Sequence, residues 1–149
     1  MISVGIDVSK GKSTVCILKP GGEVVKPPFE MIHNAEELDS FVSLINSFDE
    51  ETRVVLEDTG HYHIPVASYL SSHGIFVCCV NALRMKKFCA QSIRRAKTDK
   101  IDAVRIASFG ITYWSELTRA YDAPDTYDEL RFLARQYYQI TSILVKAKV

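Results

Sequence analysis

The stretch ISVGIDVSKGKSTVCILKPGGEVV, residues 2–25, decides how this chain begins to fold. Residues 2–8 and 13–19 are two runs rich in β-branched and apolar side chains, and Ser9, Lys10, Gly11 and Lys12 between them read as the turn of a hairpin. Pro20, Gly21 and Gly22 form a second turn, and a third strand is expected from Glu23 to Ile32. Pro27 and Pro28 have no amide hydrogen to give to a ladder, so that strand belongs at a sheet edge. Asp7 stands inside the first apolar run, between Ile6 and Val8. A carboxylate there is costly to bury unless a partner or a cation neutralises it. An aspartate closing a strand, or simply paired with a neighbour, is the plainer alternative.

Outward from the hairpin the pattern alternates between helix and strand. Asn34 with Glu37 three residues later resembles a capping box, and Leu38, Phe41, Val42, Ile45 and Phe48 form the apolar stripe of a first crossover helix. Thr52 to Leu56 is a short buried strand ending in Glu57 and Asp58. Pro65 to His73 reads as a second helix stopped by Gly74, and Ile75 to Val80 as another apolar strand. Asn81 to Ser92 is expected to be helical, Arg94 to Lys97 a basic loop, and Thr98 the cap of a helix reaching Phe109. Residues 110–123 carry no clear pattern. Strands alternating with helices after an antiparallel start predict an α/β fold with a mixed five-stranded sheet.

Pro124 precedes a last helix, with Thr126 and Glu129 as its capping box. Leu130, Leu133, Tyr137, Ile140 and Leu144 recur at alternating steps of three and four, the spacing of a coiled-coil seam. The expected division is therefore residues 1–123 as a globular domain and 124–149 as a long helix that starts a dimerising coiled coil, in a fragment of a longer protein. A seam that packs on its own domain is the alternative.

The composition, with 47% hydrophobic and 24% charged residues among 149, is that of a folded domain. No apolar run approaches a membrane span and the N-terminus lacks the organisation of a secretory signal, so a cytoplasmic location is expected. Cys16, Cys78, Cys79 and Cys89 show no paired C-x-x-C spacing, which argues against zinc or a disulfide framework and for reduced thiols. His61 and His63 could share a face if extended, but no third ligand accompanies them at metal spacing.

Lys+Arg and Asp+Glu both total 18, yet the charges are segregated. Residues 23–58 hold ten acidic side chains against two basic ones. Residues 84–105 hold eight bases, Arg84, Lys86, Lys87, Arg94, Arg95, Lys97, Lys100 and Arg105, against Asp99 and Asp102. Such a run is either a solvated face or a surface that meets phosphates. As a phosphate-binding set, Lys10 joins Arg84, Lys86, Lys87, Arg94, Arg95, Lys97 and Lys100.

Four carboxylates could converge beside that run. Glu57 ends a strand, where open α/β sheets place their ligands, and Asp99 and Asp102 share a helix face. If the first and fourth strands are neighbours, Asp7 and Glu57 meet as well. Converging carboxylates repel one another unless a cation lies among them, and magnesium or manganese prefers such oxygen donors. Divalent ions held this way support phosphodiester cleavage.

The segments GIDVSK (5–10), LEDTGHY (56–62) and above all RRAKTDKIDAVRIA (94–107) resemble the DEDD-type insertion-sequence transposases related to the Piv DNA invertase. The resemblance places the four acidic residues of the family on Asp7, Glu57, Asp99 and Asp102, as catalytic groups and metal ligands. It implies a ribonuclease-H-like fold similar to RuvC-type Holliday-junction resolvases, magnesium or manganese dependence, cut-and-rejoin chemistry on DNA and a homo-oligomeric assembly. Some members of the family are guided by a structured RNA. Full-length members carry a further C-terminal domain with a serine thought to act as nucleophile, and the resemblance leads one to expect that this fragment stands without it.

Three other readings follow from the same residues. A stand-alone resolvase would cut branched DNA unaided. The segment at residues 5–25 also resembles the opening hairpin of sugar-kinase, actin and Hsp70-like ATPases, although those place a glycine and hydroxyl residues where this chain has Val8, Ser9 and Lys10. A nucleic-acid-binding and dimerising module with purely structural acids is the non-enzymatic reading.

Overall fold

The computed structural model describes residues 1–58, 60–90, 98–120 and 126–147; the side chains of residues 126–132, 135, 142, 146 and 147 lie outside that description. Strands β1 (Ile2–Val8) and β2 (Lys12–Leu18) form the expected hairpin, paired from Ser3–Leu18 to Val8–Ser13. Its turn is closed by the Ser9 amide donating to the Lys12 carbonyl at 2.9 Å, with Gly11 supplying the positive φ of 77° that the reversal needs. Strand β3 (Val24–Ile32) lies at the sheet edge beside β2, as its prolines require. The register between the two slips between Val15 and Ile17, opposite Pro27 and Pro28.

Helix α1 (Ala35–Asn46) starts where Asn34 Oδ1 accepts from the Glu37 amide at 2.8 Å. The Glu37 carboxylate reaches back to the Ile32 amide at 2.6 Å, so the box closes on the end of β3 rather than on Asn34 itself. Strand β4 (Thr52–Asp58) runs two residues beyond the expected end, because Glu57 and Asp58 pair with Val80 and Asn81 of β5 (Phe76–Asn81). Helix α2 (His63–Ser72) begins before Pro65, which sits in the first turn where its missing amide hydrogen costs nothing. Helix α3 (Ala82–Ala90) is entered from Asn81, whose Oδ1 accepts from the Leu83 amide at 2.8 Å. Thr98 caps α4 (Asp99–Thr112) through the Ile101 amide, as its position predicts.

The sheet order is β3-β2-β1-β4-β5, antiparallel across the first three strands and parallel across β1, β4 and β5. Strand alternation sorts side chains onto two faces. Ile2, Val4, Ile6, Val8, Val54 and Leu56 pack with Phe41 and Ile45 of α1 and Val66 and Leu70 of α2. On the opposite face Val55, Cys78 and Val80 meet Met85 of α3 and Ile106 and Phe109 of α4, while Cys16 and Leu18 meet Ala103 and Ala107. Helix α4 lies so near the sheet that a Cβ on Gly5 would strike the backbone of Ala103 and Ala107. One on Gly110 would strike Ser3 and Val55.

That second contact explains why α4 continues past Phe109 to Thr112: Gly110 is the residue that lets the helix stay against the sheet. A short helical turn, Trp114–Glu116, follows. The Ala120 amide then donates to the Val77 carbonyl at 2.8 Å, which brings the chain alongside β5, the outer strand on that side. Helix α5 (Thr126–Ala147) leaves Leu133, Tyr137, Ile140 and Leu144 exposed, while the capping-box side chains Thr126 and Glu129 and the seam residue Leu130 lie outside the described side chains. Among the described residues no helix is long and apolar enough to cross a membrane.

Candidate active site at the strand ends

Strands β1 and β4 are parallel neighbours in register from Ile2–Thr52 to Ile6–Leu56, which brings Asp7 and Glu57 to adjacent positions one step further on. Both belong to the face covered by α4, since they alternate with Gly5 and Val55, and both are half-buried. The C-terminal ends of the strands are also where α4 begins. The helix runs antiparallel to β1, with Gly110 over Ser3 and Ala103 and Ala107 over Gly5. Four helical residues advance about 6 Å and two strand residues about 6.6 Å. Asp99, four residues before Ala103, therefore comes level with Asp7, two residues after Gly5. Asp102 begins the neighbouring stripe that continues through Ile106 and packs with Val55, and so lies on the side of Glu57.

The local fields agree with this division. The Lys12 ammonium is raised above its ordinary value chiefly by its hydrogen bond to Glu30 at 2.8 Å, with a smaller push from Asp99. The Cys89 thiol is raised mainly by burial; Arg105 opposes the shift, and Asp102 and Glu57 both add to it. Asp99 thus lies toward the β2 side and Asp102 toward the β4 side of α4.

Among the described residues no three His, Cys, Asp or Glu side chains come together in a group that could hold a metal ion. Asp99 is exposed, and Asp102 accepts a hydrogen bond from Arg105 Nη1 at 3.0 Å. What fits a divalent metal is the donor set, carboxylate oxygens borne on one face by β1, β4 and α4, which suits magnesium or manganese better than a thiophilic ion.

The basic residues divide. Lys10 is exposed in the β1–β2 turn, and Lys100 is exposed in the first turn of α4, both at the end of the sheet that carries Asp7. Lys86 and Lys87 are exposed on α3. Arg84 is committed locally: its Nη2 donates to Glu116 at 2.5 Å, and its guanidinium lies 5.3 Å and 5.1 Å from the ring centres of Phe109 and Tyr113. Arg94, Arg95 and Lys97 fall outside the described residues. His61 is exposed, whereas His63 is buried with Nε2 3.5 Å from Asp58 Oδ1. Asp58 alternates with Glu57 and so belongs to the other face of the sheet. All four cysteines are free.

Two residues that shape the site escape a reading of the sequence. Gly5 sets the approach of α4, and Arg105 engages Asp102. Gly5 sits inside the GIDVSK segment, and Arg105 stands three residues after Asp102, the spacing of a pair on one helix face.

A family model described as a transposase, that of the DEDD type of IS110, matches residues 4–149. No curated relative matches the sequence. Among solved structures, RuvC of Thermus thermophilus is similar with a TM-score of 0.53 at 14% identity, over 80% of this chain and 98% of that one. T. thermophilus RuvC in complex with a Holliday junction substrate gives a TM-score of 0.54 at 14% identity, over 78% of this chain and 96% of that one. At this identity the likeness establishes the fold alone, a ribonuclease-H-like mixed sheet flanked by helices. Because the family model spans nearly the whole chain, the protein belongs to the DEDD transposases of the IS110 type.

Proposed function

We propose that this transposase domain carries out phosphodiester cleavage and strand transfer on DNA at a divalent-metal site formed by Asp7, Glu57, Asp99 and Asp102. The observation that supports the reading is the close approach of α4 to β1, whose spacing is compatible with two helix carboxylates above the ends of the strands that bear the other two. Magnesium or manganese bound there would activate the attacking oxygen and stabilise the leaving one. The residues of the chain supply the rest. The rigid pairing of β1 with β4 holds Asp7 and Glu57, and Gly5 and Gly110 fix the height of the two helix acids. Lys10, Lys86, Lys87 and Lys100, exposed around that end of the sheet, would bind the backbone phosphates of DNA. Arg94, Arg95 and Lys97 belong to the same set by sequence. A DNA complex of the similar T. thermophilus RuvC is known, which favours DNA as the partner.

The exposed seam of α5 supports a second element of the proposal, self-association of the transposase through that helix. Leu133, Tyr137, Ile140 and Leu144 are each more than half exposed, at heptad-like spacing.

The test of the active site is thermal unfolding against manganese and magnesium concentration, for wild type, Asp7→Asn and Asp99→Asn. An ion bound by the native state raises the unfolding temperature by mass action. Stabilisation in wild type that is lost in both variants is the expected result. Absence of any effect at millimolar metal, with a DNA duplex also present, would remove the metal-site reading.

A further inference from the structure

We propose that Arg105 is the internal counter-cation of the acidic site and that it exchanges with divalent metal; the inference rests on the metal-site reading above. Arg105 and Asp102 form an ion pair at 3.0 Å, with side chains only 17% and 20% exposed. The pair is thus largely sheltered from solvent, unlike Lys12–Glu30 or Arg84–Glu116, whose side chains are about half exposed or more. The Cys89 thiol, raised chiefly by burial, also feels Arg105, Asp102 and Glu57, which agrees with a shared neighbourhood for the guanidinium and these two acids.

A guanidinium in that position offsets part of the repulsion that neighbouring carboxylates create in the absence of metal. It also occupies an oxygen of Asp102 along its own helix. A divalent ion taking Asp102 as ligand would meet a positive charge three residues along the same helix. Repulsion between the two cations, together with the loss of the Asp102 oxygen, would drive the long Arg105 side chain outward. The acids therefore have two neutralised states, one paired with an internal arginine and one with metal, and the arginine holds Asp102 until metal arrives.

The sign of the effect separates this role from a structural one. An arginine that merely buttressed the site would weaken metal binding when removed, whereas a competing counter-cation strengthens it. Manganese chloride is titrated into the chain by calorimetry and by thermal unfolding, with wild type, Arg105→Gln and Arg105→Lys compared. The expectation is that Arg105→Gln unfolds at lower temperature without metal yet binds manganese on the order of tenfold more tightly, the effect of removing one positive charge beside a divalent ion. Arg105→Lys, which keeps the charge, should stay close to wild type in both. Affinity in Arg105→Gln that is equal to or below wild type would overturn the exchange.

The wild-type protein offers a second measurement that survives failure of the glutamine variant to fold. The guanidinium NMR signals that vanish in Arg105→Lys should lose their protection from exchange on saturation with magnesium, and protection that persists in the metal-loaded protein would overturn the proposal. A wild type that does not respond to manganese, even with DNA present, sinks the metal-site reading itself. A wild type that responds, with Arg105→Gln responding no more tightly, sinks only the role of Arg105.

Discussion

Gly5 of β1 lies directly against the backbone of Ala107 in α4, leaving no room for a side chain between strand and helix. The contact is backbone to backbone, so it cannot be relieved by rotating a flexible group. Gly5→Ala should cost about 3 kcal/mol, because α4 must lift from the sheet to accept the added methyl. Lifting α4 also raises Asp99 and Asp102 away from Asp7 and Glu57. Chemical denaturation should therefore show lowered stability, and titration of the folded fraction should show weakened manganese binding. Unchanged stability would mean that the helix is not held at this height.

Lys86 and Lys87 are exposed on α3, while their neighbour Arg84 is tied to Glu116 and two aromatic rings. The Lys86→Ala/Lys87→Ala double variant should bind DNA more weakly and lower the slope of log affinity against log salt by about 1–2, one unit for each lost phosphate contact. Arg84→Ala should leave that slope unchanged and instead lower stability by about 1 kcal/mol, the scale of an exposed pair with cation–ring contacts. Fluorescence anisotropy across a salt series and a denaturant titration separate the two outcomes.

Glu50 accepts hydrogen bonds from Lys19 and from the N-terminal ammonium, each at 2.5 Å, and these hold its carboxyl down at about 2. Its folded value lies below its unfolded one, so the contribution to stability is present above the ordinary carboxylate range near 4.5 and fades as pH falls toward 2. Glu50→Gln should therefore lower the unfolding temperature at pH 6 to 7, and the difference from wild type should close below pH 4. Glu50 is on the surface, so the effect is small and should shrink further in high salt. A difference that widened at low pH would contradict the pairing.

The apolar residues Leu133, Tyr137, Ile140 and Leu144 of α5 are exposed along one heptad-like row. Sedimentation velocity should show a dimer or higher species that dissociates on dilution, and Leu133→Glu/Ile140→Glu should shift it to monomer. Because the seam lies outside the sheet core, the double variant should still unfold cooperatively. A wild type that stays monomeric at every concentration would dispose of the seam as an interface.

Much of the fold was legible because its signals are local. The Gly11 turn, the Asn34 and Thr98 caps and the prolines that send β3 to an edge each act within a few residues, and the apolar periodicities of α1, β4 and β5 act within one element. The acids Asp7, Glu57, Asp99 and Asp102 stood out for the same kind of reason, as charges at element ends or inside apolar runs. Local signals were weakest after Phe109, where Gly110 would ordinarily mark the end of a helix. There the contact with Ser3 and Val55 overrides the signal and carries the helix to Thr112.

The chain sequence was enough to define which segments become strands and helices, and which carboxylates could matter, because propensity, capping and alternation need no distant partner. Packing alone established that β1 lies beside β4, that α4 sits at the height allowed by Gly5 and Gly110, and that residues up to Ala120 reach β5. Packing also turned Arg105 from one more member of a basic run into the partner of Asp102. These are relations between segments far apart in the chain or on crossing elements. Their energies depend on close approach and exclusion of solvent, which no linear pattern specifies.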